Sequence, residues 1–129
     1  MQKKRQGQDE IGTILDGKAR PVIGGPQLPI KFAFDKNPKA ILLCSVSTHG
    51  PLADRWWEQL VELDKQFCNK GFAIGCFPTN CFGTCPGTPE EIRVNLDSRG
   101  VRTAVFEKIN VKGPTIHPIF QWLGNRSSL

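Results

Sequence analysis

Two uninterrupted apolar runs most constrain this chain: Ala40-Ile41-Leu42-Leu43-Cys44-Ser45-Val46, and Phe72 to Phe77. Runs of strand length without alternation suit strands covered on both faces of a parallel sheet. Parallel neighbours need a crossover, and the intervening stretch supplies one. Trp56, Leu60, Leu63 and Phe67 recur at helical spacing, flanked by Trp57, Val61 and Cys68, while Glu58, Glu62 and Lys65 fall on the other face. Gly71 after Lys70 is a helix stop. A turn at Thr48-His49-Gly50-Pro51 joins the first strand to the helix. The unit is therefore βαβ, with a right-handed crossover.

Downstream, a Gly/Pro/Thr-rich loop runs from Pro78 to Pro89. Thr88 can cap a helix opening Pro89-Glu90-Glu91-Ile92, with Glu91 at the capping-box position. Capping explains this acidic pair better than acid catalysis does. A strand is expected around Thr103–Ile109, then a short helix over Ile116–Leu123 with Ile116, Ile119, Phe120 and Leu123 on one side. Upstream, Pro21, Gly24, Gly25, Pro26, Pro29 and Pro38 break any regular element. Residues 1–38 are therefore expected to form an irregular arm, and residues 39–129 the domain.

A chain of 129 residues suits one domain. With 39% hydrophobic and 22% charged residues, it has neither disordered nor collagen-like composition. No apolar run is long enough for a spanning helix. The net charge of +5 permits an acidic partner, but the basic residues are scattered apart from Lys3-Lys4-Arg5. Nucleic acid is thus expected only as a weak or indirect partner. The five cysteines are odd in number and follow no secretory signal, so reduced thiols in an intracellular compartment are expected. The acids Asp9 and Glu10 fit a mitochondrial leader poorly, although the basic balance keeps a mitochondrial setting open. Cys76, Cys81 and Cys85 with His49 lack the paired spacing of a zinc site, so neither metal nor cofactor is expected. Gly83 to Gly87 lacks the Lys-Ser/Thr ending of a phosphate loop.

Two segments resemble the glutathione peroxidase family. Gly71-Phe72-Ala73-Ile74-Gly75-Cys76-Phe77-Pro78-Thr79-Asn80-Cys81-Phe82-Gly83, then Pro86-Gly87-Thr88-Pro89-Glu90-Glu91-Ile92, is similar to its strand, its Phe-Pro-Cys-Asn-Gln-Phe-Gly loop and its next helix start. Phe106-Glu107-Lys108-Ile109-Asn110-Val111-Lys112-Gly113, then His117-Pro118 and Trp122-Leu123, resembles its Phe-x-Lys-x-Asp-Val-Asn-Gly segment and His-Pro helix. The resemblance covers residues 39–123 and implies a thioredoxin-like, three-layer α/β/α fold. It also implies a sheet without the family's C-terminal strands, one of which pairs with the strand matching residues 40–46. The bare edge would then call for a cover, either a partner chain or the proline-rich arm.

The resemblance places the family's nucleophile at Gly50, or at His49 with a one-residue gap. Neither residue can form a sulfenic acid. The family's active-site Gln falls on Cys81 and its loop Cys on Thr79, while its Trp and Asn lie beyond the matched region. These replacements lead to the expectation of a non-catalytic accessory subunit in a larger protein assembly. Ile41, Leu43, Trp56 and Trp57 are the candidate partner-binding residues. One alternative is a thiol peroxidase with a relocated nucleophile at Cys81, activated by His49 and resolved by Cys76 or Cys85. A second is a redox adaptor binding a single client. The plainer view of the thiols is that Cys44 and Cys76 are strand-core residues and Cys81 and Cys85 inert loop residues. For His117, packing or capping is the expected role.

Overall fold

The fold is that of a computed structural model, which describes residues 16–34, 38–80 and 83–126. Strand β3 (Ala40–Val46) and strand β4 (Phe72–Pro78) pair in parallel over their whole length, Ala40 opposite Phe72 and Val46 opposite Pro78. Helix α1 (Ala53–Phe67) makes the crossover. It tightens into a 3-10 turn at Cys68–Lys70 and stops at Gly71. Gly71 takes φ +85°, a left-handed conformation that side chains rarely adopt. Strand β5 (Ala104–Val105) adds to the far side of β4, again in parallel.

Helix α2 (Pro89–Ser98) begins as expected. Thr88 Oγ1 accepts from the Glu91 amide, and Glu91 Oε1 accepts from the Thr88 amide. Those bonds, from the Thr88 backbone and side chain, hold the Glu91 carboxyl below its ordinary range. The cap is therefore fully formed above the usual glutamate range and fades as pH falls. Thr88→Ala is expected to cost about 1 kcal/mol. Urea unfolding checks this, and an unchanged midpoint would show that the cap contributes nothing.

Two apolar clusters flank the sheet. One holds Val46, Trp57, Leu60, Ile74, Cys76, Cys85, Ile92 and Leu96, so α1 and α2 share that face. The other holds Ala19, Ile30, Phe77, Phe106, Ile109 and Ile119, so helix α3 (Pro118–Arg126) covers the opposite face. The order is helix, sheet, helix. Just before α3, burial keeps the His117 imidazole below its ordinary range, and its Nδ1 accepts from the Ile119 amide. His117 thus caps and packs.

The sequence expectation departs from the structure at three places. First, residues 16–34 of the expected irregular arm form an antiparallel ribbon, β1 (Lys18–Ala19) with β2 (Leu28–Pro29), and then a 3-10 turn at Ile30–Ala33. Ala19, Val22 and Ile30 are core residues, so the boundary at 38/39 cuts through a packed unit. Second, this segment covers the β5 edge and not the β3 edge. Val22 N donates to Val105 O, Glu107 N donates to Arg20 O, and Pro21 bridges Phe106. Pro21, which has no N–H, is tolerated there because the contact lies at a sheet edge. Among the described residues, no strand pairs with the outer side of β3. Third, the buried stripe of α1 is rotated. Trp57 and Leu60 are buried, while Trp56 and Phe67 are each 38% exposed.

Candidate functional site

The turn that joins β3 to α1 is held from three sides. From below, the buried Trp57 donates through Nε1 to the Ser47 carbonyl at 2.8 Å. From the C-cap of α2, Arg99 donates to the Thr48 carbonyl at 3.0 Å and to Asp54 Oδ1 at 2.8 Å. From the loop before α2, Thr84 pairs its hydroxyl with Ser47 Oγ at 2.6 Å and accepts the His49 amide at 2.8 Å. The exposed Gly50 closes the turn at φ +123°, and its carbonyl accepts the Ala53 amide as α1 begins. A side chain at Gly50 would be strained by that φ, although its nearest neighbour would be Thr84 Cγ2 at 3.7 Å.

Two buried side chains complete the arrangement. Thr48 Oγ1 lies 2.8 Å from His49 Nδ1 and donates to Cys85 Sγ at 3.6 Å. The tautomer of His49 decides which way the proton runs between Thr48 and the imidazole. Cys85 is fully enclosed, and its amide is held by Asn80 Oδ1 at 2.9 Å. A hydrogen-bonded line therefore runs from a buried thiol through a buried hydroxyl to an exposed imidazole. His49 stands between two surface grooves. One, of about 320 Å³, is floored by Ser47, Gly50, Ala53 and Thr84 and rimmed by the exposed Leu52 and Trp56. The other runs from Thr48 along Pro86, Gly87 and Glu90.

The structure brings together Gly50, His49, Thr48 and Cys85. Cys81, the candidate relocated thiol, lies outside the described residues. Of the candidate partner residues, Trp57 is only 1% exposed and faces the core, so it presents no docking surface. Its ring meets Trp56 edge to face at 4.9 Å, and Trp56 is the exposed one. Leu43 packs against the α3-side cluster, and Ile41 is half-buried on the same strand. Cys76 is fully buried, whereas Cys44 on the edge strand is only half-buried. No group of three or more His, Cys, Asp and Glu among the described residues could hold a metal ion. No helix among them is long and apolar enough to cross a membrane. Sequence reasoning missed Ser47, Thr84 and Arg99, whose roles depend on bonds spanning 37 to 51 residues.

The glutathione peroxidase family profile matches residues 27–124. A hydroperoxy fatty acid reductase of Synechocystis sp. is 39% identical over 91 residues, covering 69% of this chain and 53% of that protein. A chloroplastic phospholipid hydroperoxide glutathione peroxidase of Pisum sativum is 32% identical over 91 residues, covering 69% of this chain and 39% of that protein. This chain spans about half or less of either relative. The crystal structure of Trgpx in its apo form superposes with a TM-score of 0.56 at 18% identity, covering 90% of this chain and 66% of that one. Trypanosoma cruzi GPX1 gives 0.57 at 17%, covering 84% and 62%. The fold is thioredoxin-like α/β, as the sequence reading expected. The expectation of a non-catalytic accessory subunit, and with it of a pseudoenzyme, is corrected: the family profile and both of these relatives are named for hydroperoxide-reducing enzymes. That expectation rested on the replacements at Gly50, Cys81 and Thr79, together with the family's Trp and Asn falling beyond the matched region. On the family match and its coverage, this chain belongs to the glutathione peroxidase family.

Proposed function

We propose that this chain reduces organic hydroperoxides with a relocated thiol, Cys81 attacking and Cys85 resolving. The supporting observation is the pair of Thr84 bonds to Ser47 and His49, with Cys85 bonded to Thr48 alongside. These bonds tie the loop that bears both cysteines to the turn where the family's nucleophile position falls on Gly50. His49 serves as the base for the attacking thiol.

The Cys81 thiolate attacks the terminal peroxide oxygen, and the O–O bond breaks. The leaving alkoxide takes the proton held by His49 and departs as the alcohol, while Cys81 becomes a sulfenic acid. The Cys85 sulfur then attacks Cys81, and hydroxide leaves with the Cys85 proton as water. Two equivalents of an external thiol, or one dithiol, return the disulfide to two thiols and leave as a disulfide themselves. Leu52 and Trp56, exposed at the groove rim, offer apolar contact for an acyl chain, in keeping with the lipid hydroperoxides in the relatives' names.

Turnover of hydroperoxy-linoleate and of hydrogen peroxide with dithiothreitol as reductant tests this. Cys81→Ser is expected to lower the rate by on the order of 100-fold or more, the scale on which a reacting group acts. Cys85→Ser is expected to keep one peroxide equivalent of consumption and to accumulate a dimedone-reactive sulfenic acid. Undiminished turnover in Cys81→Ser would overturn the assignment.

A further inference from the structure

A second pair of thiols lies away from this turn, within the sheet. Cys44 and Cys76 are direct neighbours in the β3–β4 register, with both sulfurs on the α1 face. Neighbouring strands run about 4.8 Å apart, inside the Cα spacing that a disulfide spans. Their Sγ atoms stand 4.0 Å apart, close enough to share a proton.

The two thiols differ in a way that gives each a role. Cys76 is on the central strand, fully buried, with Thr103 Oγ1 at 3.5 Å from its sulfur. Cys44 is on the edge strand and half-buried, and its thiol also donates to the Gly75 carbonyl at 3.8 Å. The bond from Cys76 holds the Cys44 thiol below its ordinary value, against the upward push of burial. The same bond, together with burial, pushes Cys76 up, so the shared proton stays there. One thiol thus sits half-buried on the edge strand and is drawn down, and its enclosed neighbour is pushed up.

We propose that Cys44 and Cys76 form a second redox site, in which hydroperoxide oxidises Cys44 and Cys76 closes a cross-strand disulfide. The Cys44 thiolate attacks the terminal oxygen of the hydroperoxide. The O–O bond breaks, the alkoxide takes up through water the proton that the Cys44 thiol released on ionising and leaves as alcohol, and Cys44 carries the sulfenic acid. Cys76 then attacks the Cys44 sulfur, and the S–O bond breaks. Hydroxide takes the Cys76 proton and leaves as water. Two thiols and one hydroperoxide become one disulfide, one alcohol and one water. Closing the sulfurs to about 2.05 Å requires both side chains to shift within a packed sheet. This site does not depend on the Cys81 reading.

The test is made on the full chain carrying Cys68→Ser, Cys81→Ser and Cys85→Ser, with native folding checked by circular dichroism. Trypsin places Cys44 in a peptide spanning 40–55 and Cys76 in one spanning 71–93, and the substitutions leave one thiol in each. After one equivalent of hydrogen peroxide, both thiols are expected to disappear and the two peptides to be found linked. With Cys76→Ala added, dimedone is expected to label Cys44. Should the triple variant fold poorly, fragmentation of the linked peptides from the wild-type chain locates the bridge at Cys76. Two free thiols at Cys44 and Cys76 after peroxide has oxidised Cys68 in the wild-type chain would overturn the proposal. A linkage from Cys44 to Cys81 or Cys85 would overturn it equally. A chain without peroxidase turnover that still forms the bridge would separate this site from the Cys81 assignment.

Discussion

Replacing Trp57 with alanine is expected to destabilise the chain by about 5 kcal/mol, enough to leave a domain of ordinary stability near its unfolding midpoint. Two terms add. Trp57 is 1% exposed at the centre of the α1-side cluster, so truncation leaves a cavity between α1 and the sheet. Truncations of this size cost about 3–5 kcal/mol. It also removes the donor to the Ser47 carbonyl, a bond of 2.8 Å. An acceptor left without its partner adds about 1–3 kcal/mol. Trp57→Phe separates the terms, because it keeps most of the packing and loses the donor; about 2 kcal/mol is expected for it. The neighbouring Trp56→Ala serves as the control. Its ring is 38% exposed, and a loss below about 1.5 kcal/mol is expected. Urea unfolding followed by far-UV circular dichroism measures all three. A Trp57→Ala loss no larger than that of Trp56→Ala would mean that the turn is not anchored from the core.

The contrast between these two tryptophans marks where sequence reading stops. Both lie within the helical pattern and are adjacent, so spacing alone cannot say which one faces inward. The choice is made by the Ser47 carbonyl, a group in the turn just after β3, placed beside Trp57 by the pairing of β3 with β4. Local signals fared better. The continuous apolar run predicted β3, Gly71 predicted the stop of α1, and Thr88 with Glu91 predicted the start of α2. Each of those elements depends on neighbours within a few residues. The N-terminal segment was misjudged for the opposite reason. Its prolines and glycines forbid long elements, but a two-residue ribbon and a single bridge to Phe106 need no long element. Burial of Ala19, Val22 and Ile30 goes with that bridge, the bond from Val22 N to Val105 O and the ribbon itself, and the sequence pattern shows none of the long-range contacts.

The candidate site was legible to the same degree. His49 and Gly50 were visible as a turn after a strand, and the family resemblance gave that turn its meaning. The Thr48 bond to Cys85 was not visible, because it spans 37 residues and joins a residue type found in many loops to a cysteine read as inert. That bond changes how the altered nucleophile position is understood. With Gly50 at the family's nucleophile position, the turn has no thiol there, while the loop tied to the turn bears Cys85. Pairing of Cys44 with Cys76 was equally hidden, since both were read as core strand residues and only the register of β3 on β4 sets them side by side.

The core on the other face of the sheet supports the same loop from behind, and Phe77→Ala is the test of it. Phe77 is fully buried and stacks on Phe106 at 4.6 Å with ring planes 20° apart. It meets Phe120 of α3 edge to face at 5.2 Å, with the His117 ring at 6.0 Å. One ring therefore joins the central strand, the segment after β5 and the covering helix. Removing it is expected to cost about 4 kcal/mol, the sum of lost burial and an unfilled cavity. Aromatic pairs contribute roughly 1 kcal/mol beyond their area, so Phe77→Leu is expected to lose about 1–2 kcal/mol while filling much of the space. The two variants together distinguish volume from ring geometry. Phe77 is followed by Pro78, Thr79 and Asn80, and Asn80 holds the Cys85 amide. Hydrogen exchange should therefore speed up at the Cys85 amide in Phe77→Ala as well as along α3. If only α3 loosens, the loop is held by the Ser47 and His49 bonds alone, and the core behind Phe77 positions the helix without positioning the thiols.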